Sequence, residues 1–166
     1  MPPATLVRDE LLLLGDRIQS ALDALEVLGI PETLGHLDLN PGNIIVSPSR
    51  CTFLDWAEAY VGNPFSSLEY LREHLRRTNG TDSAVETKLI ESYCAQWEQA
   101  VPPAAVAEAL ALAPLLAVFA YAAGSYASED AERTQEPATA GYFRSLTRRM
   151  HREATELADQ RSLCLH

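Results

Sequence analysis

The segment Gly35-His-Leu-Asp-Leu-Asn-Pro-Gly-Asn-Ile-Ile-Val46, followed by Phe53-Leu-Asp-Trp56, concentrates the side chains able to do chemistry. His36, Asp38 and Asn43 fall in a predicted loop between a helix and a strand, with a tight turn at Pro41-Gly42. Asp55 falls near the end of the partner strand. Paired strands lie about 4.8 Å apart, so a hairpin of this length returns Asp55 to the side of Asn43. A carboxylate at Asp38 with oxygen ligands at Asn43 and Asp55 suits a hard cation. Magnesium takes one or two carboxylates with an amide oxygen and completes its octahedron with water and substrate phosphates. The three side chains are therefore expected to converge on a common cleft at one end of the hairpin, with Glu58 at its rim and without a catalytic role. Taken singly, each residue has a plainer reading: a cap for Asp38, a turn residue for Asn43, a satisfied structural histidine for His36.

The elements that must hold this segment are legible on either side of it. Leu11, Leu14, Ile18, Leu22, Leu25 and Leu28 form a stripe at helical period, ended by Gly29-Ile30-Pro31. Two apolar, β-prone runs, 43–47 and 51–56, flank Pro48-Ser49-Arg50 and read as a short hairpin. Everything beyond reads as helical. Asn63-Pro64 caps and starts a helix that ends at Asn79-Gly80, and Thr81 or Asp82 caps the next, with Val85, Leu89, Ile90, Tyr93 and Trp97 inward. After Pro102-Pro103 comes a long apolar helix with a kink expected at Pro114. A polar loop over 128–137 precedes a last helix carrying Tyr142, Phe143, Leu146, Met150 and Leu157. One domain of 166 residues follows: a first helix within 1–30, the loop and hairpin at 35–56, and a helical subdomain over 64–160.

Composition excludes several classes. Thirteen basic against 23 acidic residues, a net charge of −10, leave no basic face for nucleic acid. Cys51, Cys94 and Cys164 are odd in number and share no metal spacing, which suits reduced thiols in the cytoplasm. The uncharged stretch 109–128 holds Pro114, Gly124 and two tyrosines and lacks flanking Lys or Arg clusters, so it reads as a buried helix and not a membrane span. No Gly-x-Ser-x-Gly elbow occurs, and His36, His74, His151 and His166 are too scattered for a zinc pair. Glu69, Glu73 and His74 share part of a helix downstream of the site, read as an exposed amphipathic face. Arg144, Arg148, Arg149 and Arg152 face Glu153 and Glu156 within one helix.

The spacing His-x-Asp-x-x-x-x-Asn, with an Asp on the following strand, is that of the kinase catalytic loop and its metal-binding aspartate. The segment resembles the C-terminal lobe of the aminoglycoside phosphotransferases and related small-molecule kinases, whose pattern is close to His-Gly-Asp-x-x-Pro-x-Asn with Asp-Trp or Asp-Phe after the hairpin. The resemblance continues in Gly62-Asn63-Pro64. It implies a mainly α domain with a small β-hairpin, the C-terminal lobe of a protein-kinase-like fold. It also implies ATP- or GTP-dependent phosphorylation of a hydroxyl on a small molecule. Asp38 would be the catalytic base, His36 would brace the loop, and Asn43 and Asp55 would hold Mg²⁺ on the nucleotide phosphates. The resemblance also offers Glu69, Glu73 and His74 as pocket lining for a cationic substrate.

Three positions depart from the pattern: Leu37 replaces a glycine, while Asn63 and Ser67 stand where aspartates are frequent. The eight glycines are too dispersed for a phosphate-covering loop, and the only lysine, Lys88, lies downstream of the catalytic loop in a predicted helix. The N-terminal lobe is therefore expected to be absent. An apolar face is expected where it would pack, covered by a second copy in a homodimer or by a partner supplying that lobe. The alternative function is a non-catalytic pseudokinase lobe acting as a ligand- or partner-binding module.

Overall fold

The computed structural model describes residues 5–79, 83–124 and 136–163. The chain divides into two compact units, one of residues 25–113 and one of residues 1–24 with 114–166.

The unit of residues 25–113 contains all the residues nominated for chemistry. It begins with the end of α1 (Arg8–Val27), which Gly29 closes at φ 65°, a left-handed conformation open to glycine at no steric cost. Four short strands follow: β1 (Thr33–His36), β2 (Ile44–Ser47), β3 (Arg50–Phe53) and β4 (Ala59–Gly62). They form two separate antiparallel ribbons. β2 pairs with β3 from Ile44 opposite Phe53 to Ser47 opposite Arg50, the hairpin expected from sequence with Arg50 drawn into its second strand. β1 pairs with β4 from Thr33 opposite Gly62 to His36 opposite Ala59. This second ribbon corrects two sequence expectations, that His36 sits in a loop and that everything beyond the hairpin is helical.

Helix α2 (Pro64–Asn79) starts where Asn63-Pro64 predicts, and the Asn63 Oδ1 accepts the Phe65 N–H at 2.9 Å. The caps proposed at Thr81 and Asp82 lie outside the described residues. Helix α3 (Ser83–Trp97) and the start of α4 (Pro103–Gly124) complete the unit. Its core is Phe65, Leu68, Val106, Ala109 and Ala113, against which Leu89, Tyr93 and Trp97 pack. Phe65 meets Tyr93 edge-on at 5.5 Å, and the Tyr93 hydroxyl donates to the Pro64 carbonyl at 2.8 Å, tying α3 to the start of α2. Val85, expected inward, is exposed.

Four charged side chains join α2 to α3. Glu69 is only 2% exposed and accepts from Arg72 at 2.7 Å and Arg76 at 3.1 Å, while Glu86 accepts from both arginines. Neither sequence reading of Glu69, solvated face or pocket lining, describes a buried carboxylate bridged by two guanidinium groups. Glu73 pairs with Arg77 at 2.7 Å.

In the other unit, Leu14 and Ala21 of α1, 115–118 of α4, and Met150, Ala154 and Leu157 of α5 (Pro137–Leu163) are buried. Leu11, expected inward, is 46% exposed. Arg17 donates to the Thr155 hydroxyl at 3.2 Å. Of the basic residues expected to pair along α5, Arg149 and Arg152 do so, Arg152 with Glu153 at 2.8 Å. Helix α4 runs through Pro114 as one element. Among the described residues it alone is long and apolar enough to cross a membrane by length and composition, yet its side chains at 106, 109, 112, 113 and 115–118 are buried within the protein.

Candidate functional site

The site is assembled where the two ribbons meet the loop between β1 and β2. Asp38 lies just past β1, exposed, and its carboxylate accepts one hydrogen bond on each oxygen: Asn40 Nδ2 at 3.0 Å and Asn43 Nδ2 at 3.0 Å. The same two amides also reach the Asp38 carbonyl. Each carboxylate oxygen retains a second lone-pair direction, so Asp38 is oriented without being used up.

Asn40 organises the turn. Its Oδ1 accepts the Gly42 N–H at 2.8 Å and caps a single 3-10 turn over Pro41–Asn43. That turn aims Asn43 back at Asp38. Because Asn43 gives its amide nitrogen to the carboxylate, its Oδ1 is the atom left to meet a cation.

Asp55 is not in a strand, as sequence suggested. β3 stops at Phe53, and Asp55 adopts φ 55° and ψ 65° at the head of a second 3-10 turn, Trp56–Glu58. Among the described residues it is the only non-glycine with positive φ. Aspartate tolerates this region better than most residues, but at a cost of roughly 1–2 kcal/mol, which the surroundings must offset. They do so through Leu54. Its N–H donates to the Asn43 carbonyl at 2.8 Å, and its carbonyl accepts from His36 Nε2 at 2.8 Å. The residue immediately before Asp55 is thus held by the last residue of the first 3-10 turn and by the last residue of β1. Glu58 is exposed within the second 3-10 turn.

His36 is buried, with 3% of its surface exposed, and lies 4.9 Å from the Trp56 ring. A carbonyl only accepts, so His36 Nε2 carries the proton of that contact. Its backbone N–H donates to Ser67 Oγ in α2 at 3.0 Å. Asp38 and Asn43 are brought into direct contact, Asp55 is placed one residue past the partner of Asn43, and His36 holds the Leu54 carbonyl before Asp55. Among the described residues, no three His, Cys, Asp or Glu side chains group to hold a metal. The cation-ligating set here would instead combine carboxylate with amide oxygen, a donor chemistry suited to magnesium.

Asn40 and the Leu54 carbonyl escaped the sequence reading, which met Trp56 only as part of the Asp-Trp pair and Ser67 only as a departure from the family pattern. Only Asn40 carries a local signal, since Asn before Pro favours turn initiation. Among the described residues the thiols take no part: Cys51 is exposed on β3, and burial pushes the Cys94 thiol above its ordinary range.

The described residues form mainly helices, with this loop, the β2–β3 hairpin and Asp55 just after it. Residues 3–107 match the family model described as the phosphotransferase enzyme family (APH), and the chain belongs to that family. The match takes in every residue of the candidate site. Neither a curated protein nor a solved structure matches the chain.

Proposed function

We propose that the chain is the catalytic-loop lobe of a small-molecule kinase, transferring the γ-phosphoryl group of ATP or GTP to an acceptor hydroxyl. The observation that supports the reading is the two-point hold on Leu54, from the Asn43 carbonyl and His36 Nε2, directly before a left-handed Asp55. Family membership supports the reaction class.

Asp38 accepts the proton of the acceptor hydroxyl, and Asn40 and Asn43 keep its carboxylate turned toward the incoming oxygen. Asn43 Oδ1 and the Asp55 carboxylate are the groups that would hold magnesium. Bound there, the cation would supply charge neutralisation on the nucleotide phosphates. The contact between the His36 and Trp56 rings at 4.9 Å steadies the turn that carries Asp55. Phosphoryl transfer asks little covalent chemistry of a protein, so fixed oxygens at stated positions are the main contribution this lobe can make.

The test pairs Asp38→Asn with Asp55→Asn in the protein supplied with its phosphate-binding lobe. Loss of transfer by about 10²-fold or more in the first, with nucleotide binding kept, is the expected outcome. In the second, magnesium-dependent nucleotide binding itself should weaken. Transfer that survives Asp38→Asn unchanged would exclude Asp38 as the base.

A further inference from the structure

We infer that Ser67, backed by Tyr60, is a positioning residue that sets the backbone of Asp55 through His36; the inference rests on the metal role proposed above for Asp55. Ser67 sits in the first turn of α2, but that helix start is already capped by Asn63. Its hydroxyl is turned instead toward β1, where it accepts the His36 N–H at 3.0 Å. His36 passes the constraint on, since its ring nitrogen holds the Leu54 carbonyl at 2.8 Å and Leu54 directly precedes Asp55. A left-handed aspartate persists only where its neighbours over-determine it, and this relay is one of the two ties on Leu54.

Tyr60 supports Ser67 from the β1–β4 ribbon. Its ring lies across Gly35, where an added Cβ would stand 2.3 Å from Cζ, and against Gly62, where one would stand 2.9 Å from Cε2. The space both glycines leave open is filled by the ring, which brings the Tyr60 hydroxyl to 3.5 Å from Ser67 Oγ and from the Asn63 carbonyl. Removing the Ser67 hydroxyl leaves the N–H of a buried residue without its acceptor, a condition folded proteins avoid. The end of β1 must then shift, and Leu54 and Asp55 shift with it.

The test uses the 166-residue chain, Mn²⁺ as the paramagnetic probe, and amide hydrogen exchange by NMR without metal. In the parent chain Mn²⁺ should broaden the amides of Asn43 and Asp55. Ser67→Ala should weaken that binding roughly tenfold and speed exchange at His36 and Leu54 by a similar factor, the scale of one lost hydrogen bond. Ser67→Thr, which keeps the hydroxyl, should restore both readouts. Ser66→Ala, the adjacent buried serine, should move neither. If Ser67→Ala fails to fold, Ser67→Cys, close in volume and a weak acceptor, should show the same direction of change. Mn²⁺ binding and Leu54 exchange unchanged in Ser67→Ala or Ser67→Cys would overturn the inference. A parent chain in which Mn²⁺ leaves Asp55 unbroadened would count against the metal reading, and the exchange of Leu54 then decides the positioning role alone: faster in Ser67→Ala supports it, unchanged overturns it.

Discussion

Asp55 combines a backbone the chain resists with a side chain the proposed reaction needs, and the two can be separated by substitution. Glycine takes φ 55° freely, so Asp55→Gly relieves strain while adding backbone freedom to the unfolded chain, and these effects roughly cancel. The expected thermal midpoint is within a degree or two of the parent, with magnesium-dependent nucleotide binding lost. Valine is β-branched and fits the left-handed region poorly, so Asp55→Val should lower stability by about 1–2 kcal/mol in urea unfolding. A Gly variant as unstable as the Val variant would show that the carboxylate itself, and not the backbone, is what the fold depends on. At this scale the sequence showed which residue types could act together but not the conformation of Asp55. Its left-handed turn depends on the Leu54 carbonyl and the His36 ring, which are 18 residues apart.

The two ribbons differ in how far they could be read. β2 and β3 are contiguous apolar runs around a Pro-Ser turn, so periodicity and turn chemistry announce them. β1 and β4 are four residues each, contain Gly35 and Gly62, and are separated by both 3-10 turns and the β2–β3 hairpin. Nothing local marks such a pair, and their association is decided by Tyr60 packing over Gly35. Gly35→Ala should therefore displace the Tyr60 ring and cost about 1–3 kcal/mol. The same substitution placed on Tyr60→Ala should cost much less, and a double-mutant cycle with fully additive costs would refute the packing account. Between the helices, Glu86 gives a pH signature. Hydrogen bonds from Arg76 and Arg72 outweigh its burial and hold its carboxyl below the ordinary 4.5. A depressed folded value contributes stability that is present above the unfolded value and lost as pH falls through the folded one. The stability gap between parent and Glu86→Gln should be complete at neutral pH and close progressively below about 4.5. A gap that widened on acidification would contradict the ion-pair assignment.

At the scale of the whole chain, the candidate site is gathered in the unit of residues 25–113, and the family match over 3–107 covers nearly all of that unit. On the function proposed above, what these residues offer the reaction is one side of it: a base, two cation ligands and the braces behind them. The other side is the set of groups that grip and orient phosphates. The family's mechanism draws these from a loop over the nucleotide and a lysine on a neighbouring strand. Here the sole lysine, Lys88, is exposed on α3, and the eight glycines lie at widely separated positions. Positioning supplies about 7–11 kcal/mol of the barrier in well-oriented reactions, so losing one wall of the nucleotide site removes orders of magnitude in rate. The purified 166-residue chain is expected to show no measurable transfer to aminoglycosides or other hydroxyl acceptors, while retaining weak nucleotide binding that needs magnesium and disappears in Asp55→Ala. Adding a phosphate-binding lobe in trans should then raise transfer from background, and Asp38→Ala in this chain should abolish the gain. Vigorous transfer by the 166-residue chain alone, lost on Asp38→Ala, would mean that its own residues hold the nucleotide phosphates. The arginines of α2, bound as they are to Glu69, Glu86 and Glu73, would then be the first cations to test by substitution.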